Sequence, residues 1–87
     1  MPYVADFDKF FLKRLKKLKK DNPELFLRLR KKIAEVLENP HHYKPMKNVL
    51  KGKRRAHVGS FVILFTVDEK EKSVVFLEFD HHDKAYK

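Results

Sequence analysis

The chain has 87 residues, and 21 Lys or Arg against 12 Asp or Glu give it a formal net charge of +9. This length predicts a single domain over residues 1–87, and the charge favours an anionic partner, either nucleic acid or an acidic protein. The lack of cysteine, of a signal-peptide pattern and of a membrane-length apolar run predicts a cytoplasmic protein that makes no disulfides and does not contact membrane.

A short strand and a basic helix are predicted first. Residues 2–5 read as an extended segment, and Asp6 or Asp8 can cap the helix that follows. Apolar side chains then recur at helical spacing at Phe7, Phe11, Leu15 and Leu18. Lysines fill most of the remaining positions as far as Lys20, so the helix has a dense basic face.

A second helix is predicted directly after the first. Asn22 is a good N-cap and Pro23 suits the first helical position, while Asn39 and Pro40 end the helix after about Glu38. The short break between the two helices favours an antiparallel αα-hairpin. A basic loop follows as far as residue 53.

The second half of the chain changes to the period of β-strands. Residues 54–58, 61–67 and 74–79 are predicted strands, joined by a two-residue turn at Gly59 and Ser60 and a polar turn at 68–72. Successive hairpins imply antiparallel pairing. The sequence therefore predicts an α+β fold of order βααβββ, with an antiparallel sheet of about four strands packed on an N-terminal αα-hairpin.

Alternation along the strands predicts which side chains face the helices. A turn at Gly59 and Ser60 puts an apolar set on the core face: Ala56, Val58, Phe61, Ile63, Phe65 and Val67. We call the opposite side of the sheet the outer face, and it is expected to carry Arg55, His57, Val62, Leu64 and Thr66. In the last strand, Val75, Leu77 and Phe79 are expected in the core. The expected outer-face residues there are Val74, Phe76, Glu78, Asp80 and His82, with Tyr86 reaching this face from the tail.

Histidines and a carboxylate near the C-terminus raise the possibility of a metal site. His57, His81, His82 and Asp83 are all potential zinc ligands. However, adjacent histidines on an extended strand point to opposite faces, and the spacing matches no established metal motif. The sequence therefore predicts no native metal site.

The order of elements, the basic loop 44–52 (KPMKNVLKG), the hairpin 55–62 (RAHVGSFV) and the terminal Tyr86 together resemble the RelE toxins of the RelE/ParE superfamily. The resemblance covers nearly the whole chain. It implies a cytoplasmic ribonuclease that enters the ribosomal A site and cleaves mRNA without metal or cofactor. It also implies an acidic, RelB-like antitoxin partner.

Cleavage of RNA by its own 2′-hydroxyl requires a base, an acid and a cation for the phosphorane charge. His57 and His82 are the candidate acid and base, in either assignment, and Arg55 offers a forked donor to phosphate oxygens. Tyr86 can stack on a base or hydrogen-bond a phosphate. RNA contacts are expected from five further cations: Lys47, Lys51, Lys53, Arg54 and Lys84.

The chain departs from the RelE pattern at two positions. The hairpin pattern of RelE toxins has an arginine where Val62 stands, and the pattern of their tail has an arginine where His82 stands. An alternative function is therefore a catalytically weak or inactive ParE-like or RNA-binding module of the same fold, which acts by binding a protein or ribosomal RNA.

Overall fold

The structure, a computed structural model, describes residues 2–46 and 52–85. The elements in chain order are β1 (Val4–Phe7), α1 (Lys9–Asp21), α2 (Pro23–Glu38), a 3₁₀ turn (Pro40–His42), β2 (Arg54–Val58), β3 (Phe61–Asp68), β4 (Ser73–His81) and α3 (His82–Ala85). The predicted βααβββ order is confirmed. The final strand is longer than predicted, and the short helix α3 was not predicted.

Polar caps fix the ends of the two long helices. The Asp8 side chain accepts a hydrogen bond from the backbone N–H of Phe10 at 2.9 Å and begins α1. Asn22 ends α1 through its backbone N–H, which donates to the carbonyl of Leu18 at 2.7 Å. Its side chain also accepts from the N–H of Leu25 at 3.2 Å, so one residue ends α1 and begins α2.

The four strands form one sheet in the order β1-β4-β3-β2. β3 pairs antiparallel with both β2 and β4, as predicted, but β1 pairs parallel with β4. The expectation of a purely antiparallel sheet is therefore wrong at this edge. β1 is the first strand of the chain, and its neighbour in the sheet is the last strand. Such a pair is separated by most of the chain, so no hairpin turn dictates its direction.

A β-bulge in β4 overturns part of the predicted facing. Leu64 pairs with Glu78, whereas the next residue of β3, Phe65, pairs with Phe76, so Leu77 is an extra residue in β4. Strict alternation fails across this bulge. Val74 and Phe76 therefore lie in the core with 0% exposure, contrary to the prediction, and Val75 and Leu77 are only partly buried. Phe79 lies in the core as predicted.

The central strand β3 is buried on both faces. Ile63 and Phe65 join the core between sheet and helices, and Val62 and Leu64 on the outer face have exposures of only 0% and 2%. Val62 and Leu64 face outwards as predicted, yet both are buried within this chain, whereas Phe76 faces the core and not the outer face where it is predicted.

A polar cluster centred on Glu69, which we call the Glu69 cluster, lies at the end of the sheet far from the β2–β3 turn. Glu69 accepts hydrogen bonds from the Tyr3 hydroxyl at 2.9 Å and from Lys72 Nζ at 2.9 Å, and it pairs with His41. The hydrogen bonds from Lys72, His41 and Tyr3 lower the pKa of Glu69 to about 2. The cluster joins the residue before β1, the 3₁₀ turn and the β3–β4 turn.

The bulge predicts unequal effects for two neighbouring valines. Val74→Ala removes apolar volume from the closed core, so it should lower the free energy of unfolding by about 2 kcal/mol. Val75→Ala, the matched control at a partly buried position, should cost less than about 1 kcal/mol. Chemical denaturation of both variants measures this. The reverse order would support strict alternation and contradict the bulge.

The Glu69 cluster predicts a specific pH dependence of stability. Because the folded pKa of Glu69 lies below its ordinary value of 4.5, its contribution is fully present above that value and is lost as the pH falls towards 2. In Glu69→Gln, the free energy of unfolding should therefore be lower at neutral pH and should change less than wild type between pH 4.5 and 2. Glu71→Gln, in the same turn, is the control and should follow wild type.

Candidate active site

The strand register places four ionisable side chains on the outer face. In one row across the sheet, Leu64 of β3 pairs with Arg55 on one side and with Glu78 on the other. In the next row on this face, Val62 of β3 pairs with His57 on one side and with Asp80 on the other. The predicted facing of these residues of β2 and β3, and of Glu78 and Asp80, is confirmed. Two strand spacings, about 10 Å, separate Arg55 and His57 on β2 from the carboxylates of β4. The outer face therefore has a basic side at β2 and an acidic side at β4.

A basic groove follows the outer edge of β2. It consists of two neighbouring cavities of about 370 and 350 Å³, and both are lined by His57 and Lys32. One cavity extends along α2, past Arg28 and Lys31. We call the pair the β2-edge groove, and its other cationic or aromatic lining residues are His42, Tyr43, Lys44 and Arg55.

Sequence reasoning missed most of this groove. Only Arg55 and His57 were singled out, because their alternation in β2 was readable. Arg28, Lys31 and Lys32 lie on α2, and they reach His57 only because α2 packs beside β2 in three dimensions. The available signal was the cationic face of α2, although nothing in the sequence aligned it with the edge strand.

Two of the predicted RNA contacts, at the start of β2, are hydrogen-bonded to Tyr43 and Met46. The Arg54 guanidinium donates to the carbonyl of Tyr43 at 2.6 Å, and the carbonyl of Lys53 accepts from the N–H of Met46 at 2.7 Å. Both side chains are half-buried. Lys84 is exposed on α3, whereas Lys47, Lys51 and Tyr86 lie outside the described residues.

The end of β4 brings two histidines together. His81 pairs with Phe61, and its ring contacts the Phe61 ring edge-on at a centroid distance of 5.8 Å. The backbone N–H of His82 donates to the carbonyl of Ser60 at 2.8 Å, and His82 begins α3. Because the strand ends at His81, alternation does not extend to His82. The two rings lie 5.2 Å apart, which corrects the expectation that they point to opposite faces.

Arg14 reaches from α1 to the part of β4 that extends beyond β1. Its guanidinium donates to the carbonyl of Phe79 at 2.5 Å, lies 4.7 Å from the centre of the Phe79 ring and approaches Asp80 at 3.8 Å. β1 pairs with β4 only as far as Phe76, so this stretch lacks that neighbour. Arg14 thus occupies a backbone acceptor of β4 and partly neutralises Asp80.

Comparison with known proteins identifies the family. The model of the ParE toxin of type II toxin–antitoxin systems (parDE) matches residues 6–86. A Methanocaldococcus jannaschii protein assigned as toxin RelE4 is 46% identical over 76 residues, which are 86% of this chain and 81% of that protein. The chain belongs to the RelE/ParE toxin family. It is therefore the toxin of a type II toxin–antitoxin system.

Solved RelE structures share the fold. The RelBE2 toxin–antitoxin complex of Mycobacterium tuberculosis contains a chain with a TM-score of 0.79 and 26% identity, covering 93% of this chain and 99% of that one. A mutant of the Escherichia coli toxin RelE in the free state has a TM-score of 0.78 at 23% identity, covering 99% of this chain and 90% of that one. Among the described helices of the present RelE/ParE toxin, none is long and apolar enough to cross a membrane.

The position of Arg14 predicts a moderate loss of stability on its removal. Arg14→Ala removes a hydrogen bond and a cation–π contact at a half-exposed site, so it should lower the free energy of unfolding by about 1–2 kcal/mol. Lys17→Ala, on the same helix, is the control and should change stability by less than about 0.5 kcal/mol. Equal effects in urea denaturation would show that Arg14 acts only through charge.

Proposed function

We propose that this toxin is a metal-independent endoribonuclease that cleaves mRNA in the ribosomal A site and so inhibits translation. The observation that carries the proposal is the position of Arg55 and His57 on the edge strand, in a groove lined by further cations. A phosphate in this groove meets a guanidinium fork and an imidazole together. The imidazole can transfer a proton, and the guanidinium can bind two phosphate oxygens.

The proposed reaction uses the RNA's own nucleophile. A base takes the proton of the 2′-hydroxyl, whose oxygen attacks the adjacent phosphorus, and an acid gives a proton to the departing 5′-oxygen. The products are a 2′,3′-cyclic phosphate and a 5′-hydroxyl. Arg55 stabilises the charge that develops on the phosphorane oxygens. No electron transfer or metal-bound nucleophile is needed.

His57 and His82 are the proposed acid and base, and Tyr86 is proposed to stack on a base or hydrogen-bond a phosphate. His57 is supported by its exposure in the groove. His82 is supported by its place at the end of β4, next to the β2–β3 turn whose Ser60 carbonyl it contacts. Lys47, Lys51, Lys53, Arg54 and Lys84 are proposed contacts to the backbones of mRNA and ribosomal RNA.

The partner proposed for regulation is an acidic, RelB-like antitoxin. Structural relatives of this chain include toxins in the RelBE2 complex of M. tuberculosis and the RelBE complex of E. coli. The net charge of +9 and the β2-edge groove suit a segment rich in carboxylates. Such a segment would bind in the cytoplasm and occupy the surface that otherwise binds RNA.

A specific observation favours the alternative of a weakly active or inactive ParE-like module. Val62 stands where the hairpin pattern of RelE toxins has an arginine, and it has 0% exposure beneath the outer face. That position therefore supplies no charge and is closed to a phosphate. Such a protein would act by binding a protein or ribosomal RNA, consistent with the match to the ParE family model.

The cleavage proposal predicts codon-positioned cuts in a translating extract. Primer extension should map them for wild type, and Arg55→Ala or His57→Ala should reduce their rate by about 10²–10⁴-fold. The double variant His82→Ala with Tyr86→Phe should abolish them. Arg30→Ala removes an equal charge from an exposed position of α2 outside the groove, so it should cut nearly as well as wild type.

The same experiment separates the alternatives. Translation that stops without any mRNA cuts would support the binding module and contradict the nuclease. Cuts that persist in the Arg55 and His57 variants would show that catalysis lies elsewhere. Translation left intact by a soluble, folded wild-type protein would contradict any action on the ribosome.

A further inference from the structure

Three consecutive side chains at the end of β4 converge on a small volume. His81, His82 and Asp83 each offer one potential metal ligand, and these three atoms lie within 4.8 Å of one another. The Asp83 carboxylate faces both rings. One of its oxygens lies 3.5 Å from His81 Nδ1, and the other lies 3.2 Å from His82 Nε2.

These separations approach those of a tetrahedral zinc site. Bonds of 2.0–2.1 Å at tetrahedral angles place neighbouring ligand atoms about 3.3 Å apart. His81 Nδ1 and His82 Nε2 lie 3.5 and 3.2 Å from two different oxygens of Asp83, so the side chains must adjust before one oxygen and both nitrogens share a metal ion. Two imidazoles and one carboxylate are also among the ligands that zinc takes in proteins, and they leave a fourth position for water or a ligand.

The backbone arrangement that creates the cluster is anchored on the sheet. His81 is held by its pairing and ring contact with Phe61, and the backbone N–H of His82 is bonded to Ser60. The change from strand to helix between His81 and His82 puts both rings on one side, which an extended chain would not do. Closing the site then requires adjustment of side chains on a backbone that is already in place.

The same contacts have a simpler interpretation as ion pairs between one carboxylate and two histidines. The rings are half-exposed, and His81 Nδ1 also accepts a long hydrogen bond of 3.4 Å from the N–H of Asp83. A metal at Nδ1 would replace that weak bond. The cluster therefore brings together the ligand set of a metal site, without a strong competing hydrogen bond at His81 Nδ1.

We propose that His81 Nδ1, His82 Nε2 and one Asp83 carboxylate oxygen bind a zinc ion. The site is separate from the cations of the β2-edge groove. It uses the His82 nitrogen that would otherwise be available for proton transfer. Zinc would therefore inhibit cleavage if His82 is an acid or base, and this consequence, unlike the binding itself, rests on the proposed function.

Zinc binding to the untagged full chain tests the proposal. Isothermal titration with zinc chloride should give one saturable site, and cobalt should give the absorption bands of a tetrahedral complex. His81→Ala and His82→Ala should each weaken zinc binding by more than about tenfold, and Asp83→Asn should weaken it too. His42→Ala, which changes the chain's other His–His pair, and His57→Ala should leave the binding constant unchanged.

Several results would overturn the site. These are the absence of saturable binding in wild type, unchanged binding in His81→Ala and His82→Ala, or equal weakening in the His42 and His57 variants. Circular dichroism of each variant shows whether it is folded, and these half-exposed positions should tolerate substitution. A wild type that binds zinc in this manner but cleaves RNA equally well with and without it would keep the site and exclude His82 from the chemistry.

Discussion

The packing of phenylalanine rings around Phe11 is the constraint on which the rest of the structure depends. Phe11 on α1 lies 5.6 Å from Phe7, 5.8 Å from Phe76 and 5.0 Å from Phe79 between ring centres. Phe76 and Phe79 are three residues apart in β4, so regular alternation would put them on opposite faces. The bulge at Leu77 brings both onto Phe11, and it thereby joins α1, β1 and β4 in one core.

The same bulge sets the chemistry of the outer face. Beyond it, Glu78 and Asp80 face outwards opposite Leu64 and Val62, and His81 falls beside Phe61 at the rim. The outward facing of the charged side chains of β4 therefore follows from the packing of its aromatic residues. A strand without the bulge that kept Phe76 in the core would turn Glu78 and Asp80 inwards, where unpaired carboxylates are costly.

Much of the fold was predictable because local rules determined it. Asn22 and Pro23 marked the break between the helices, and Gly59 in a two-residue turn fixed the register of β2 and β3. The facing of Val74 and Phe76 was predicted wrongly because the bulge results from packing against Phe11, a contact distant in sequence. The parallel pairing of β1 and the approach of Lys32 to His57 are likewise contacts between distant segments, which periodicity cannot detect.

The charge distribution of the outer face bears on where a polyanion would bind. The carboxylates of Glu78 and Asp80 repel phosphates from the β4 side, although Arg14 partly neutralises Asp80. At β2, by contrast, α2 adds cations to those of the strand itself. Under the proposed function, attraction and repulsion would therefore both direct an RNA backbone to the β2 edge of the sheet. His57 would then lie in the path of the phosphates, whereas His82, beside Asp83, would meet RNA only if the RNA strand crossed the end of the sheet.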